Sequence, residues 1–174
     1  MDKELVIFDL DQTLVDTSAL EALRRQRLWS SVYREIPKTI CYESLNESIS
    51  FLRNKNIKVA IFTSSPKAYA QKVLAYHALE YDLLLGYHDV KNRKPSAEGF
   101  LKILDYFSIK SERAISFGDQ HTDILASKKA AIDSVACLWG NVDNTALIES
   151  KPNIILEQST DILNIRMHPS KYIL

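Results

Sequence analysis

Six short apolar runs separated by stretches of helical periodicity constrain this chain more than any other feature. The runs are 4–8 (ELVIF), 57–62 (IKVAIF), 82–85 (DLLL), 114–117 (AISF), 135–138 (VACL) and 154–156 (IIL). Their length and bounding polar residues predict buried strands. Between them, Leu45, Ile49 and Leu52 fall at i, i+4 and i+7, as do Phe100, Leu104 and Phe107. That spacing lines one face of a helix. Strands alternating with helices predict βαβ units in an α/β fold with a mainly parallel sheet. Such sheets bind ligands beyond the carboxyl ends of their strands.

A chain of 174 residues is long enough to bury one real core, or a core with a small insert. Its formal net charge is zero, so no global field draws in nucleic acid or an anionic membrane. Cys41 and Cys137 lie far apart in no metal-binding spacing and predict reduced, apolar filler positions in a cytoplasmic protein. The opening MDKELVIFDL has too short an apolar stretch for a leader, and no run approaches a membrane span.

The segment from Ser18 to Glu43 breaks the alternation. Nothing in it reads as a strand, and Leu20, Leu23, Leu28, Trp29, Val32 and Ile36 give a partial helical stripe. One long or two short helices are expected there, with Trp29 covered by the core. Its arginines, Arg24, Arg25, Arg27 and Arg34, read as a solvated face. A phosphate-contacting lid is the sharper alternative.

Four strand ends carry the polar residues of interest. Asp9, Asp11 and Thr13 follow the first strand, and Thr63 and Ser64 the second. Lys94 precedes Pro95, and Gly118, Asp119 and Asp123 follow the fourth strand. Asp9, Asp11 and Asp119 in one place would repel unless a cation joined them. Oxygen ligands without a His or Cys cluster favour Mg²⁺. Thr63 and Ser64, where the chain turns into a helix, suit phosphate oxygens, and Lys94 adds a point charge. Carboxylates two residues apart in extended chain project to one side. One can attack phosphorus while the other manages the leaving-group proton, provided their environments set their pKa values apart. Each element alone is an ordinary turn, cap or surface residue; the ordered set of four is what points to phosphoryl transfer.

That ordered set resembles the haloacid dehalogenase-like hydrolase superfamily, in its phosphoglycolate-phosphatase-like branch. The motifs are DLDQTLVDT, Thr63 in VAIFTSS, Lys94 in RKPSAEGF, and GDQHTD. The resemblance implies a Rossmann-like doubly wound parallel sheet with a small all-helical cap inserted after the first strand. Residues 1–17 and 44–174 would form the core and 18–43 a reduced cap. It implies a Mg²⁺-dependent phosphatase acting on a small phosphate ester, with Asp9 as nucleophile and Asp11 as acid/base. Asp9, Asp119 and the Asp11 carbonyl would hold the metal, with Thr13 and Asp123 in support. Thr63, Ser64 and Lys94 would hold the phosphoryl group. Gln12 stands where many relatives have Gly, and Ala97 where many have Pro.

A cap this small predicts an open site, which admits a bulky substrate or is closed by a second copy of the chain. A phosphomutase retains the same motifs and is the alternative activity. A dehalogenase would not need Asp11, and a phosphonate hydrolase would want a marked lysine, whereas Lys38 is unmarked. A receiver domain would place its Lys-Pro last, whereas Lys94 here precedes the GDQHTD acids and the first acids are spaced D-x-D. A binding protein that lost turnover would lack Asp9, Asp11 or Asp119. His121 lies in the fourth motif and is expected as an exposed loop residue; His77, His88 and His168 fit no ligand pattern.

Overall fold

The computed structural model describes residues 3–164. All six expected strands form: β1 (Leu5–Phe8), β4 (Lys58–Phe62), β5 (Leu83–Leu85), β6 (Ala114–Gly118), β7 (Asp133–Cys137) and β8 (Ile154–Leu156). They make one parallel sheet in the order β5-β4-β1-β6-β7-β8. The chain builds outward from β1 on one side, then returns to build outward on the other. β1 therefore sits at the point where the winding reverses, the place such sheets leave a crevice. The helices are α1 (Glu21–Arg25), α2 (Trp29–Glu35), α3 (Leu45–Asn54), α4 (Lys67–Tyr76), α5 (Glu98–Phe107), α6 (His121–Lys129) and α7 (Thr145–Glu149).

Alternation along the strands sends side chains into two apolar layers, as the two-residue period of a strand requires. Val6 and Phe8 join one layer with Leu45, Ile49 and Leu52 of α3 and Tyr69, Val73 and Leu74 of α4. Leu5 and Ile7 join the other with Phe100, Ile103 and Leu104 of α5 and Ala126 and Ala130 around α6. Helices cover both faces, which makes the sheet doubly wound. Four consecutive buried residues in β1 follow directly from that. Close approach fixes one glycine in this packing: a Cβ on Gly99 of α5 would lie 2.1 Å from the Phe62 ring.

The segment between β1 and α3 departs from the expected all-helical insert. β2 (Val15–Asp16) and β3 (Ile40–Cys41) pair antiparallel, Val15 opposite Cys41 and Asp16 opposite Ile40. Two-residue strands are too short to leave a hydrophobic period in the sequence, so β3 escaped the reading. They form a stem that carries α1, α2 and short 3₁₀ turns at Ser18–Leu20 and Ile36–Lys38. Leu20, Val32 and Ile36 are buried as expected, but Leu28 is 46% exposed. Cys41 is only half-buried, and burial pushes its thiol up to about 11; Cys137 is fully buried. Among the described residues no helix is long and apolar enough to cross a membrane. His168 lies outside the described residues.

Candidate active site

The crevice at the carboxyl ends of β1, β4 and β6 is a cavity of about 760 Å³. Asp9, Asp11, Thr63, Ser64, Asp119 and Asp123 all line it. Three of the four motifs, far apart in sequence, thus converge on one place. Asp9 follows β1 directly, Thr63 follows β4, and Asp119 follows β6.

On the cavity floor, carboxylate oxygens of Asp9, Asp119 and Asp123 lie within 4.8 Å of one another. Lys94 reaches into this group with its side chain 3% exposed. Its Nζ lies 2.8 Å from Asp9 Oδ1, 2.7 Å from Asp123 Oδ1, and donates to the Phe62 carbonyl at 2.7 Å. Burial alone would lower the Lys94 pKa, but Asp123 and Asp9 together hold it above the ordinary lysine range. Burial pushes Asp9 well above the usual carboxylate range; Lys94 opposes this, while Asp123, Asp119 and Asp11 add to it. Asp119 is raised by burial and by Asp123, against donated bonds from Asn141, Gln120 and Thr13. Those bonds measure 2.9 Å from Thr13 Oγ1, 2.8 Å from Gln120 Nε2 and 2.9 Å from Asn141 Nδ2.

This donor set fits a hard divalent cation. Three carboxylates crowd one point with a single lysine to offset them, and every ligand atom in the cluster is oxygen. The carboxylates in it are those of Asp9, Asp119 and Asp123, so Asp123 stands closer to the centre than its expected supporting role. The Asp11 carboxylate is turned elsewhere.

Asp11 is gripped from the cap side. Its Oδ1 accepts from Thr17 Oγ1 at 2.8 Å, Arg24 Nη1 at 2.7 Å and Tyr69 OH at 2.8 Å. Its Oδ2 accepts from Ser65 Oγ at 2.6 Å and Arg24 Nη2 at 3.0 Å. Arg24 also donates to Thr17 and Ser65, and its guanidinium lies 4.9 Å from the centre of the Tyr69 ring. This overturns the solvated-face reading for Arg24, whereas Arg34 does stay exposed. Arg24 carries no local mark, because its partner Asp11 is thirteen positions upstream. Ser65 and Tyr69 were missed for a similar reason: they read as a loop serine and one more apolar helix residue.

The remaining expected residues divide. Thr63 is buried, and its Oγ1 accepts from the Ser65 N–H at 3.0 Å, while its own N–H bonds the Leu85 carbonyl. Ser64 is the exposed member of that turn. Gln12 has a positive φ of 63°, and its Oε1 accepts from the Thr17 N–H at 2.8 Å. It ties the loop after β1 to the base of the cap. His121 is exposed and does not line the cavity; His88 does. Trp29 is partly buried, packing near Tyr69 while also lining the cavity.

Gly118 explains the glycine of the fourth motif. A Cβ there would lie 2.4 Å from Asp123 Cβ and 2.6 Å from its Oδ2. Gly118→Ala is therefore expected to push Asp123 and the start of α6 off the acid cluster. The cost should be about 1–3 kcal/mol, read as a lowered melting temperature, as for other overpacked cores. An unchanged melting temperature would show that α6 gives way freely.

The family model described as haloacid dehalogenase-like hydrolase matches residues 19–137, more than half of the chain. The chain belongs to the haloacid dehalogenase-like hydrolase family. Asp9 and Asp11 precede the matched stretch. Pyrophosphatase PpaX of Bacillus cereus is 29% identical over 126 residues, 71% of this chain and 58% of that protein. The chain thus spans a little over half the length of the curated relatives it matches. In fold it is similar to a predicted phosphoglycolate phosphatase from Haemophilus somnus 129PT. That likeness has a TM-score of 0.83 at 21% identity and covers 95% of this chain and 98% of the other. A subfamily IA hydrolase from Geobacter sulfurreducens PCA gives a TM-score of 0.73 at 18% identity, over 94% and 99% of the two chains.

Proposed function

We propose that this chain is a Mg²⁺-dependent phosphatase that hydrolyses a small phosphate monoester through a phosphoaspartyl intermediate on Asp9. One observation carries the reading. Asp9 lies at the winding reversal of the sheet, touched by Lys94 and clustered with Asp119 and Asp123 on the floor of a cavity sized for a small ligand. The pyrophosphatase name of the relatives supports phosphoryl chemistry.

Asp9, Asp119 and Asp123 would hold the cation, with the Asp11 main-chain carbonyl beside them. When bound, it would neutralise the acid cluster and draw charge from the phosphoryl oxygens. Lys94 offers its remaining charge to the same oxygens while keeping Asp9 in place. Ser64, on the cavity wall, would donate to the phosphoryl group, and Thr63 holds the turn that presents it. An Asp9 carboxylate oxygen attacks phosphorus, and the bond from phosphorus to the ester oxygen breaks. Asp11 gives that oxygen its proton. Water then attacks the same phosphorus, Asp11 takes its proton, and the bond to Asp9 breaks to release phosphate.

The test is phosphate release from a panel of sugar phosphates, phosphoglycolate, nucleotides, pyrophosphate and an aryl phosphate, with and without Mg²⁺. Mg²⁺-dependent release from at least one is expected; none from any would contradict the reading.

Stability should report the same cluster. Folding raises the Asp9 and Asp119 pKa values, so the folded state binds protons more tightly than the unfolded one. The sign is then fixed: metal-free protein loses stability as pH rises from about 4 through the raised values. Mg²⁺ at a hundred times its dissociation constant should restore about 2.7 kcal/mol. Thermal melts in chelator and in Mg²⁺ from pH 5 to 8 check this. A melting temperature indifferent to Mg²⁺ would contradict it.

A further inference from the structure

Asp11 has a problem in this structure. An acid/base must meet the leaving oxygen, yet both of its oxygens are filled by donors. Something must let go before it can act, and the donors are not equal. Tyr69 and Ser65 belong to the buried core, and Thr17 is buried at the base of the cap. Arg24 alone comes from α1, a five-residue helix that fully buries none of its residues.

The identity of the competitor follows from the same wall. Arg24, Arg27 and Arg25, which pairs with Glu21 beside it, line the cap side of a cavity whose floor is acidic. An ester seated with its phosphoryl group on the floor points its leaving group at that wall. A guanidinium keeps its charge at any working pH and pairs bidentately with carboxylate or phosphate, so an anion there can replace Asp11 in kind.

We propose that Arg24 is a substrate-displaced latch, drawn off Asp11 by an anionic group on the leaving-group side of the ester. The substrate class is then small phosphate esters or anhydrides with a carboxylate or second phosphate beyond the scissile bond. This rests on the phosphatase reading above. When Arg24 moves to that tail, Oδ1 keeps Thr17 and Tyr69, whereas Oδ2 keeps only Ser65. Oδ2 is therefore the oxygen that opens, takes up a proton from solvent water and presents it to the leaving group. Neutral-tailed esters leave the latch closed and turn over slowly.

Calorimetric binding in Mg²⁺ tests tail recognition without turnover. The probes are phosphonoacetate for a carboxylate tail, methylenediphosphonate for a phosphate tail and propylphosphonate for a neutral one. The wild-type protein should bind one or both anionic probes on the order of tenfold more tightly than propylphosphonate. In Arg24→Gln that ratio should fall to within about twofold, with Arg24→Lys intermediate and exposed Arg34→Gln like wild type. An anionic preference that is absent in wild type, or that survives in Arg24→Gln, overturns the proposal. Turnover tests the latch itself: kcat on propyl phosphate should rise severalfold in Arg24→Gln, and a fall overturns it. If wild type releases phosphate from no ester while the binding ratios behave as stated, the phosphatase reading fails and the anion site stands.

Discussion

Asp9→Asn is expected to lose phosphate release on the order of 10⁴-fold or more, since the amide oxygen is a far poorer nucleophile than the carboxylate it replaces. The variant is also expected to be more stable than wild type without metal. Burial and three neighbouring acids disfavour the Asp9 charge, and only Lys94 offsets them. An amide keeps an oxygen for Lys94 Nζ while removing that charge. A gain on the order of 1 kcal/mol without Mg²⁺ would fit a site whose strain serves function. Mg²⁺ should then stabilise the variant less than wild type. Retained turnover would remove Asp9 from the role given to it.

Lys94→Met should have the largest structural effect. The ammonium sits between Asp9 and Asp123 and also satisfies the Phe62 carbonyl, with almost no solvent to replace it. Methionine fills similar space without charge, leaving two carboxylates unpaired. Removing one partner of a buried ion pair costs about 3–5 kcal/mol. For a domain of this size that lowers the melting temperature on the order of 10 °C at neutral pH. The deficit should shrink toward pH 5, because protonating the unpaired carboxylates relieves their repulsion. It should also shrink with Mg²⁺. A loss equal at every pH would assign the effect to packing instead. Activity should fall with it, since Lys94 also holds Asp9 in place.

The fold was legible because its signal is repeated. Six apolar runs and the stripes of α3 and α5 agree with one another, and the structure places all six runs in one parallel sheet. β7 begins two residues before its expected start, at Asp133, where a polar Asp-Ser pair hides the strand. β2 and β3 were illegible because two residues have no period, and their pairing is set by the stem they close.

The floor of the site was legible because its acids, Thr63 and Lys94 each punctuate a strand end or a proline. The wall was not. Arg24 sits in a run of like charges, and nothing local separates it from Arg34 on the same segment. Gln120, the next residue after Asp119, donates to it locally, whereas Asn141 donates from a loop that the sheet topology brings alongside. Asp11 shows the same limit from the other side. Its spacing from Asp9 marked it, but the grip of Arg24, Ser65 and Tyr69 on it belongs to the tertiary structure alone.

The most direct test of the account is to trap the covalent intermediate. Protein mixed with a turned-over ester in Mg²⁺ is quenched in acid and reduced with borohydride, which converts an aspartyl phosphate to homoserine. Peptide mass spectrometry should then find homoserine at position 9 and not at position 11, 119 or 123. Homoserine at another acid, or none at any while phosphate is released in a burst, would contradict it.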